Sequence, residues 1–217
     1  MNNDQTIEYY QKRAREYDKI YFRNDSLRQA EIHYLYALSR RVLVGRDILD
    51  IACGTGFWTR IVSDAVQSVI GLDINSGTLE VAREKTYRCP VDFIEGDFLN
   101  IGQLPKKVNG LLATFVMSHI KRQDYGALKE TIARHVPPGS PIFFCDNNLI
   151  CEVKPELIPD EEGINTYKKR ILENGEEYTI LKNYFEADEL KSIFSDWGEI
   201  TDFYFRKYYW AVCVTLA

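Results

Sequence analysis

The spacing of apolar residues changes character at Asp47. Before it, Ile7, Tyr10, Ala14 and Tyr17 recur every three or four positions, which is the period of one helix face. A second helix is predicted over 26–44, a stretch with no Pro or Gly before Gly45. After Asp47 the apolar residues gather into runs of strand length. Asp47–Ile51 ends in the small-residue cluster Ala52-Cys53-Gly54-Thr55-Gly56, and Phe57/Ile61/Ala65 with Trp58/Val62/Val66 then mark two adjacent rows of a helix. Residues 68–72 predict the next strand, ending at Asp73, and a helix over 76–85 follows with Ser76 as N-cap. Further strands are predicted over 91–94, 108–117 and 141–145. The last two are separated by a helix carrying Tyr125, Leu128, Ile132 and Val136, stopped by Pro137-Pro138-Gly139. Short apolar strands alternating with helices imply a parallel sheet covered on both faces.

The last third has another pattern. Residues 147–165, with Asp160-Glu161-Glu162 and two prolines, read as a loop or insertion. Asn174-Gly175 between two apolar stretches predicts a hairpin with a type I′ turn. Ala187, Leu190, Phe194 and Trp197 space as a helix, and residues 200–205 and 208–216 read as strands. Only Arg206-Lys207 separates those strands, too little for a crossover, so they are antiparallel. The organisation expected is one domain over 1–217: a helical cap (1–45), a parallel core (46–146), an insertion with a hairpin (147–185), and a last helix with the antiparallel pair (186–217).

Composition narrows the function classes. A chain of 217 residues suits one domain. Its net charge of −5 counts against a nucleic-acid binder, which gathers basic side chains against phosphates. No apolar run approaches the roughly 20 residues of a membrane span, and the first five residues lack the basic and apolar regions of a signal peptide. The cysteines (Cys53, Cys89, Cys145, Cys151, Cys213) are odd in number and form no C-x-x-C pair, and His33, His119 and His135 form no H-E-x-x-H. Reduced, mostly buried thiols, no metal and a cytoplasmic location are expected.

The chemistry points to the strand ends. Small residues after the first strand let a ligand approach the backbone, and the helix behind offers free N–H groups. Asp73 ends the adjacent strand, so in a doubly wound sheet both features meet at the carboxyl edge, where ligands bind. An acid there can take ribose hydroxyls. A dinucleotide site would need G-x-G-x-x-G, and the third small position is Phe57, so a nicotinamide-dependent oxidoreductase is the disfavoured alternative. The pattern D-x-A-x-G-x-G, with Asp50, Ala52, Gly54 and Gly56, instead resembles motif I of the class I S-adenosylmethionine-dependent methyltransferases of the small-molecule type. The likeness spans about residues 45–146.

The resemblance implies a Rossmann-like fold: a seven-stranded, mostly parallel sheet with helices on both faces, an antiparallel C-terminal strand and N-terminal helices. It implies S-adenosylmethionine as cofactor, with Asp50 orienting its amino group and Gly54 meeting the methionine part by backbone. Asp73 would hold the ribose with Ile74 against the adenine. Asp97 would accept from the adenine amino group and Phe98 would flank the ring. Phe115 to His119 would lie near the transferring methyl. Tyr9, Tyr10, Arg13 and Tyr17 either fold over the cofactor, with Arg13 at its carboxylate, or form an ordinary packed helix. His119 is the first candidate base and Asp146 the second; each has a purely structural alternative. Cys53 and Trp58 read as packing residues. The D/N-P-P-Y/F signature of base methylation is absent after the fourth strand, and the acceptor expected is a small metabolite. The aromatic insertion either caps an apolar or aromatic acceptor or packs a homodimer. A non-catalytic binding module remains the alternative to an enzyme.

Overall fold

In a computed structural model, which describes residues 4–150 and 156–217, the apolar runs after Asp47 become β1 (Asp47–Ile51), β2 (Ser68–Asp73), β3 (Val91–Glu95), β4 (Gly110–Thr114) and β5 (Pro141–Asn147). A small sheet follows, made of β6 (Ile158–Pro159), β7 (Thr166–Ile171) and β8 (Glu177–Leu181), and the chain ends in β9 (Gly198–Phe205) and β10 (Tyr209–Leu216). The large sheet has the order β3-β2-β1-β4-β5-β10-β9. The first five strands pair in parallel and β10 runs antiparallel to both β5 and β9. This is the expected sheet, with β10 the single reversed strand. The strand order turns round between β1 and β4, and such a switch opens a crevice at the strands' carboxyl ends.

Side-chain alternation divides the sheet into two packed faces. Leu49, Ile51, Leu111, Ala113, Phe144 and Val212 meet α5 (Tyr125–His135) and α6 (Ala187–Ser195) on one face. Ile48, Leu112, Phe143, Cys145 and Ala211 meet α2 (Ser26–Val42) and α3 (Phe57–Val62) on the other. Both faces are dry, which explains the near-continuous apolar strands. α2 starts where the Asp25 carboxylate accepts from the Arg28 N–H at 3.0 Å. The chain begins with α1 (Asp4–Arg13), and α4 (Ser76–Arg83) lies between β2 and β3.

Four elements differ from the expectation. α1 gives way to a 3₁₀ helix over Ala14–Phe22, whose tighter winding lines up Ala14, Tyr17 and Ile20. The N-cap of α4 is Asn75, not Ser76. Asp73 supplies the start-of-helix oxygen instead, accepting from the Asn75 N–H at 2.9 Å. β4 stops at Thr114 because Phe115 turns into the left-handed region at φ +56°, and Met117–His119 follows as a 3₁₀ turn. The hairpin is not type I′, which needs positive φ at both central residues. Gly175 (φ +88°) is left-handed and Asn174 is not. The Gly175 N–H donates to Leu172 O and the Leu172 N–H to Glu176 O, both at 2.9 Å, a three-residue loop ending on a left-handed glycine. Residues 158–159 of the expected loop add a strand to this hairpin. Cys151 lies outside the described residues.

Candidate active site

The bend after β1 is built on left-handed backbone. Ala52 (φ +51°) and Gly54 (φ +55°) wall a cavity of about 260 Å³ at the carboxyl edge of the sheet. Among the described residues, two non-glycine residues have positive φ, Ala52 and Phe115, and both line this cavity. Such conformations cost about 1–3 kcal/mol and cluster at functional sites. Gly56 (φ +70°) serves packing instead: a Cβ there would meet Tyr87 Oη at 2.2 Å and Ala82 Cβ at 3.1 Å.

Asp73 closes the bend. Its Oδ2 accepts from the Gly54 N–H at 2.8 Å, and its Oδ1 accepts from Asn75 N–H and lies 3.2 Å from Thr78 Oγ1. Burial pushes its carboxyl above the ordinary range, against the pull of these donors. A carboxylate offers about four acceptor sites, so one on Oδ2 is left for a hydroxyl in the cavity. Ile74, 41% exposed, and half-buried Phe98 also line the space, as does Asp97, which is exposed and accepts from the Leu99 N–H at 2.9 Å. Two buried polar atoms of cavity-lining residues have no partner among the described residues: Asn75 Oδ1, an acceptor, and Trp58 Nε1, a donor. Asp50 faces neither this cavity nor the next one. It is fully buried beneath the bend, accepting from Thr59 Oγ1 at 2.5 Å, and burial raises its pKa to about 7.

The roof comes from the N-terminal segment. Thr6, Ile7, Tyr10, Tyr17 and Tyr21 line the cavity. Below them His119 holds two fixed bonds, Nδ1 to Leu181 O at 2.6 Å and Nε2 to Tyr10 Oη at 2.8 Å. A carbonyl only accepts, so Nδ1 carries the proton and Nε2 accepts from the tyrosine. Burial, reinforced by the nearby Lys182 charge, lowers the ring's pKa to about 3. Asp146 lies deeper, fully buried at 3.0 Å from Lys182 Nζ, and accepts from the Ser118 and Asn147 N–H groups. Burial works to raise its carboxyl, but the lysine and the two N–H donors outweigh that and hold it below the usual range. It reaches neither cavity.

A second cavity of about 560 Å³ adjoins the first, and Tyr10, Tyr17, Tyr21, Phe115 and His119 line both. Part of its wall is β7, together with Lys182 and Tyr184 just after β8. Arg13 faces this larger space, donating to Tyr9 Oη at 2.7 Å and lying 5.5 Å from the Tyr17 ring centroid. The insertion caps its own chain, with Tyr178 packed on Tyr9 at 5.8 Å and Tyr184 facing the cavity. Cys53 is a buried free thiol on the cavity wall. The sequence reading missed Asn75 and Trp58 on the first cavity and the basic residues on the second. Tyr167-Lys168-Lys169-Arg170 was the available signal for the latter, hidden by attention to aromatic residues alone.

Residues 48–139 match a family described as methyltransferase domain. Over 107 residues the chain is 32% identical to a cypemycin N-terminal methyltransferase of Streptomyces sp, covering 48% of this chain and 43% of that protein. Over 172 residues it is 27% identical to a demethylmenaquinone methyltransferase of Staphylococcus carnosus, covering 72% and 68%. The chain thus spans under half of the first relative and about two thirds of the second. Its fold superposes on DhpI in complex with SAH with a TM-score of 0.76, 21% identity and coverage of 99% and 96%. It also superposes on PH0226 from Pyrococcus horikoshii with a TM-score of 0.70 and 18% identity, covering 89% and 93%. With the bend, the strand-end acids and the sheet order in place, the chain is similar to the class I S-adenosylmethionine-dependent methyltransferases over residues 48–139 and shares the fold of these neighbours along nearly its whole length.

Proposed function

We propose that the protein transfers the methyl group of S-adenosylmethionine to an O, N or C atom of a small-molecule acceptor. The observation that carries this reading is the convergence of a left-handed, nearly side-chain-free bend, the Asp73 carboxylate and the Ile74–Phe98 slot on one cavity of about 260 Å³. Two residues of the cavity wall, Asn75 and Trp58, also hold a buried acceptor and a buried donor with no partner among the described residues. The rival dinucleotide reading meets Phe57 where a small residue is required, 4% exposed and stacked on Tyr21 at 4.0 Å.

When bound, the cofactor supplies an electrophilic methyl group, and the chain's own residues orient and enclose. Asp73 takes a ribose hydroxyl on Oδ2. Ile74 and Phe98 flank the adenine, with Asp97 at its amino group. Ala52 and Gly54 admit the methionine part against bare backbone. Asp50, with no face on the cavity, acts beneath the bend through Thr59. Phe115 and His119 stand at the neck, where the acceptor enters, and Tyr17 and Tyr21 exclude water from above. Arg13 falls on the acceptor side of that neck. His119 is neutral and, held near a pKa of about 3, takes the structural alternative: it positions the Tyr10 hydroxyl at the neck and is not the base. Asp146 anchors the neck and is not its base.

The relatives' names give acceptors as different as the N-terminus of cypemycin and demethylmenaquinone, so neither is carried over. We read a cytoplasmic enzyme acting on small molecules rather than nucleic acid, supported by the net charge of −5 and four free cysteines among the described residues. No helix among the described residues is long and apolar enough to cross a membrane. The inward-facing hairpin supports a cap rather than a homodimer surface. Calorimetry tests the reading: S-adenosylhomocysteine binds and NAD does not, and Asp73→Ala weakens that binding at least tenfold, about 1.4 kcal/mol. Equal affinity for the variant would overturn the ribose role. Absence of turnover on a broad metabolite panel, with product binding intact, would favour the non-catalytic alternative.

A further inference from the structure

The larger cavity has an electrostatic character that the chain as a whole does not share. In a protein of net charge −5, its lining holds eight Lys and Arg side chains against two carboxylates. Both carboxylates, Glu16 and Glu173, are taken up by Lys19 at 3.8 and 3.3 Å. Lys182 spends its ammonium on Ser118 Oγ, Asp146 and Asn147, Arg13 donates to Tyr9, and Arg28 lies 4.3 Å from the Tyr208 ring centroid. Arg23, Lys168 and Arg170 have no carboxylate partner among the described residues.

These three are brought together by topology. Lys168 and Arg170 are two positions apart on β7 and so share a face. Arg23 follows the N-terminal 3₁₀ helix and lines the same space from its exposed rim. The Arg170 Nε is buried with no hydrogen-bond acceptor. Burial first, and then the charges of Arg170, Lys182 and Arg23, push the Lys168 ammonium down to about 8. Burial and the neighbouring Arg28 likewise lower Arg23. Cations crowded together without counter-charge destabilise the fold that holds them, and an unpaired buried guanidinium nitrogen adds to that cost. Both penalties are relieved by one ligand, an anion presenting several oxygens. Guanidinium groups bind such oxyanions through charge-assisted, often bidentate hydrogen bonds.

We infer that the larger cavity binds the methyl acceptor by a multiply charged oxyanion, held by Arg170, Lys168 and Arg23 while the acceptor's reactive atom reaches the Phe115–His119 neck. The inference rests on the methyl-transfer reading and names the class of acceptor it left open. It replaces the apolar or aromatic acceptor expected from the insertion's aromatic residues, of which Tyr184 lines the cavity without setting its charge. A phosphate ester and a polycarboxylate share the required chemistry.

The test uses the intact chain saturated with S-adenosylhomocysteine, with inorganic phosphate as probe at constant ionic strength. Calorimetry is expected to show saturable phosphate binding, weakened at least tenfold in Arg170→Gln and in Lys168→Gln. Their S-adenosylhomocysteine affinity stays unchanged, which certifies that the variants are folded. Tricarballylate at matched charge separates the two sources: tighter phosphate points to a phosphate ester, tighter tricarballylate to a polycarboxylate. Phosphate binding that vanishes when S-adenosylhomocysteine saturates the protein would place the anion at the cofactor's own carboxylate and overturn the inference. So would the lack of any saturable binding, or equal binding by both variants. In those cases product binding still stands, whereas a chain that binds no S-adenosylhomocysteine loses the methyl-transfer reading itself.

Discussion

His119 takes its protonation state from two distant neighbours. Leu181 O fixes the proton on Nδ1, and the Tyr10 hydroxyl fills Nε2. Burial first, and then the nearby Lys182 ammonium, disfavours the protonated ring, hence the pKa near 3. In the unfolded chain the ring titrates near 6.5. Between about 6.5 and 3 the unfolded chain therefore binds a proton that the folded one refuses. The ring's contribution to stability is complete above that window and is lost as the pH falls through it. Asp50, raised to about 7, has the opposite sign: its contribution is present at low pH and is lost as the pH rises through 7. The net stability curve mixes the two, so the ring's ¹⁵N shifts are the measurement that isolates His119. They are expected to show one neutral tautomer, protonated at Nδ1, from pH 8 to pH 5. A titration with midpoint near 6.5 would contradict the geometry. The residue's place at a strand tip was legible in the sequence, because β4 announces itself by its apolar run. Its two partners were not, since they lie 109 and 62 positions away and nothing in local spacing encodes them.

Between elements, the Lys182–Asp146 pair is the main polar tie of the small sheet to the large one. Lys182 directly follows β8, and its ammonium reaches Asp146 on β5 and Ser118 in the 3₁₀ turn. The two side chains are 3% and 0% exposed. An ion pair this deep adds little net stability over an apolar pair, but losing one member strands the other charge. Lys182→Met should therefore destabilise the protein by about 3 kcal/mol in urea denaturation, for want of a counter-ion to Asp146. A loss under about 1 kcal/mol would mean that the Ser118 and Asn147 N–H groups suffice for the carboxylate. At this scale the sequence read well where one element signals by itself. Alternation located the strands, and too short a link between β9 and β10 forced them antiparallel. It read poorly where an element's meaning depends on a partner. Asn174-Gly175 marks a hairpin, but its neighbour Tyr9 on α1, which Tyr178 packs against, lies 169 positions away and leaves no local signal.

Across the whole molecule, the N-terminal segment spans both cavities and is pinned to both of their walls. On the cofactor side, Asp18 accepts from Thr55 Oγ1 at 2.5 Å and pairs with Lys85 at 3.0 Å, while Asn75 Nδ2 donates to Ile7 O at 2.7 Å. On the hairpin side, Gln5 Oε1 accepts from the Thr179 N–H at 2.9 Å and Lys12 pairs with Glu176 at 2.9 Å. The central sheet was legible because its strands alternate with helices along the chain. The roof was not, because its period shows a helix face without showing what that face covers. Most of these ties are single polar contacts with one member near water, individually worth about 1 kcal/mol or less. Opening the roof is then far cheaper than unfolding the sheet, as expected of a segment that must admit ligands to both cavities. Trypsin reads that opening directly, since Arg13, Arg15, Lys19 and Arg23 lie in the segment. Cleavage there tracks the population of the open form when closing is fast. Asp18→Ala removes both the Thr55 and the Lys85 contacts and should speed cleavage at these four sites severalfold, as followed by mass spectrometry. Saturating S-adenosylhomocysteine, held between the bend and the tyrosines above it, should slow cleavage in the unsubstituted chain by at least tenfold, because a ligand that binds the closed form depletes the open one by mass action. Equal rates with and without it would mean that the segment is a fixed wall and that ligands enter both cavities by another route.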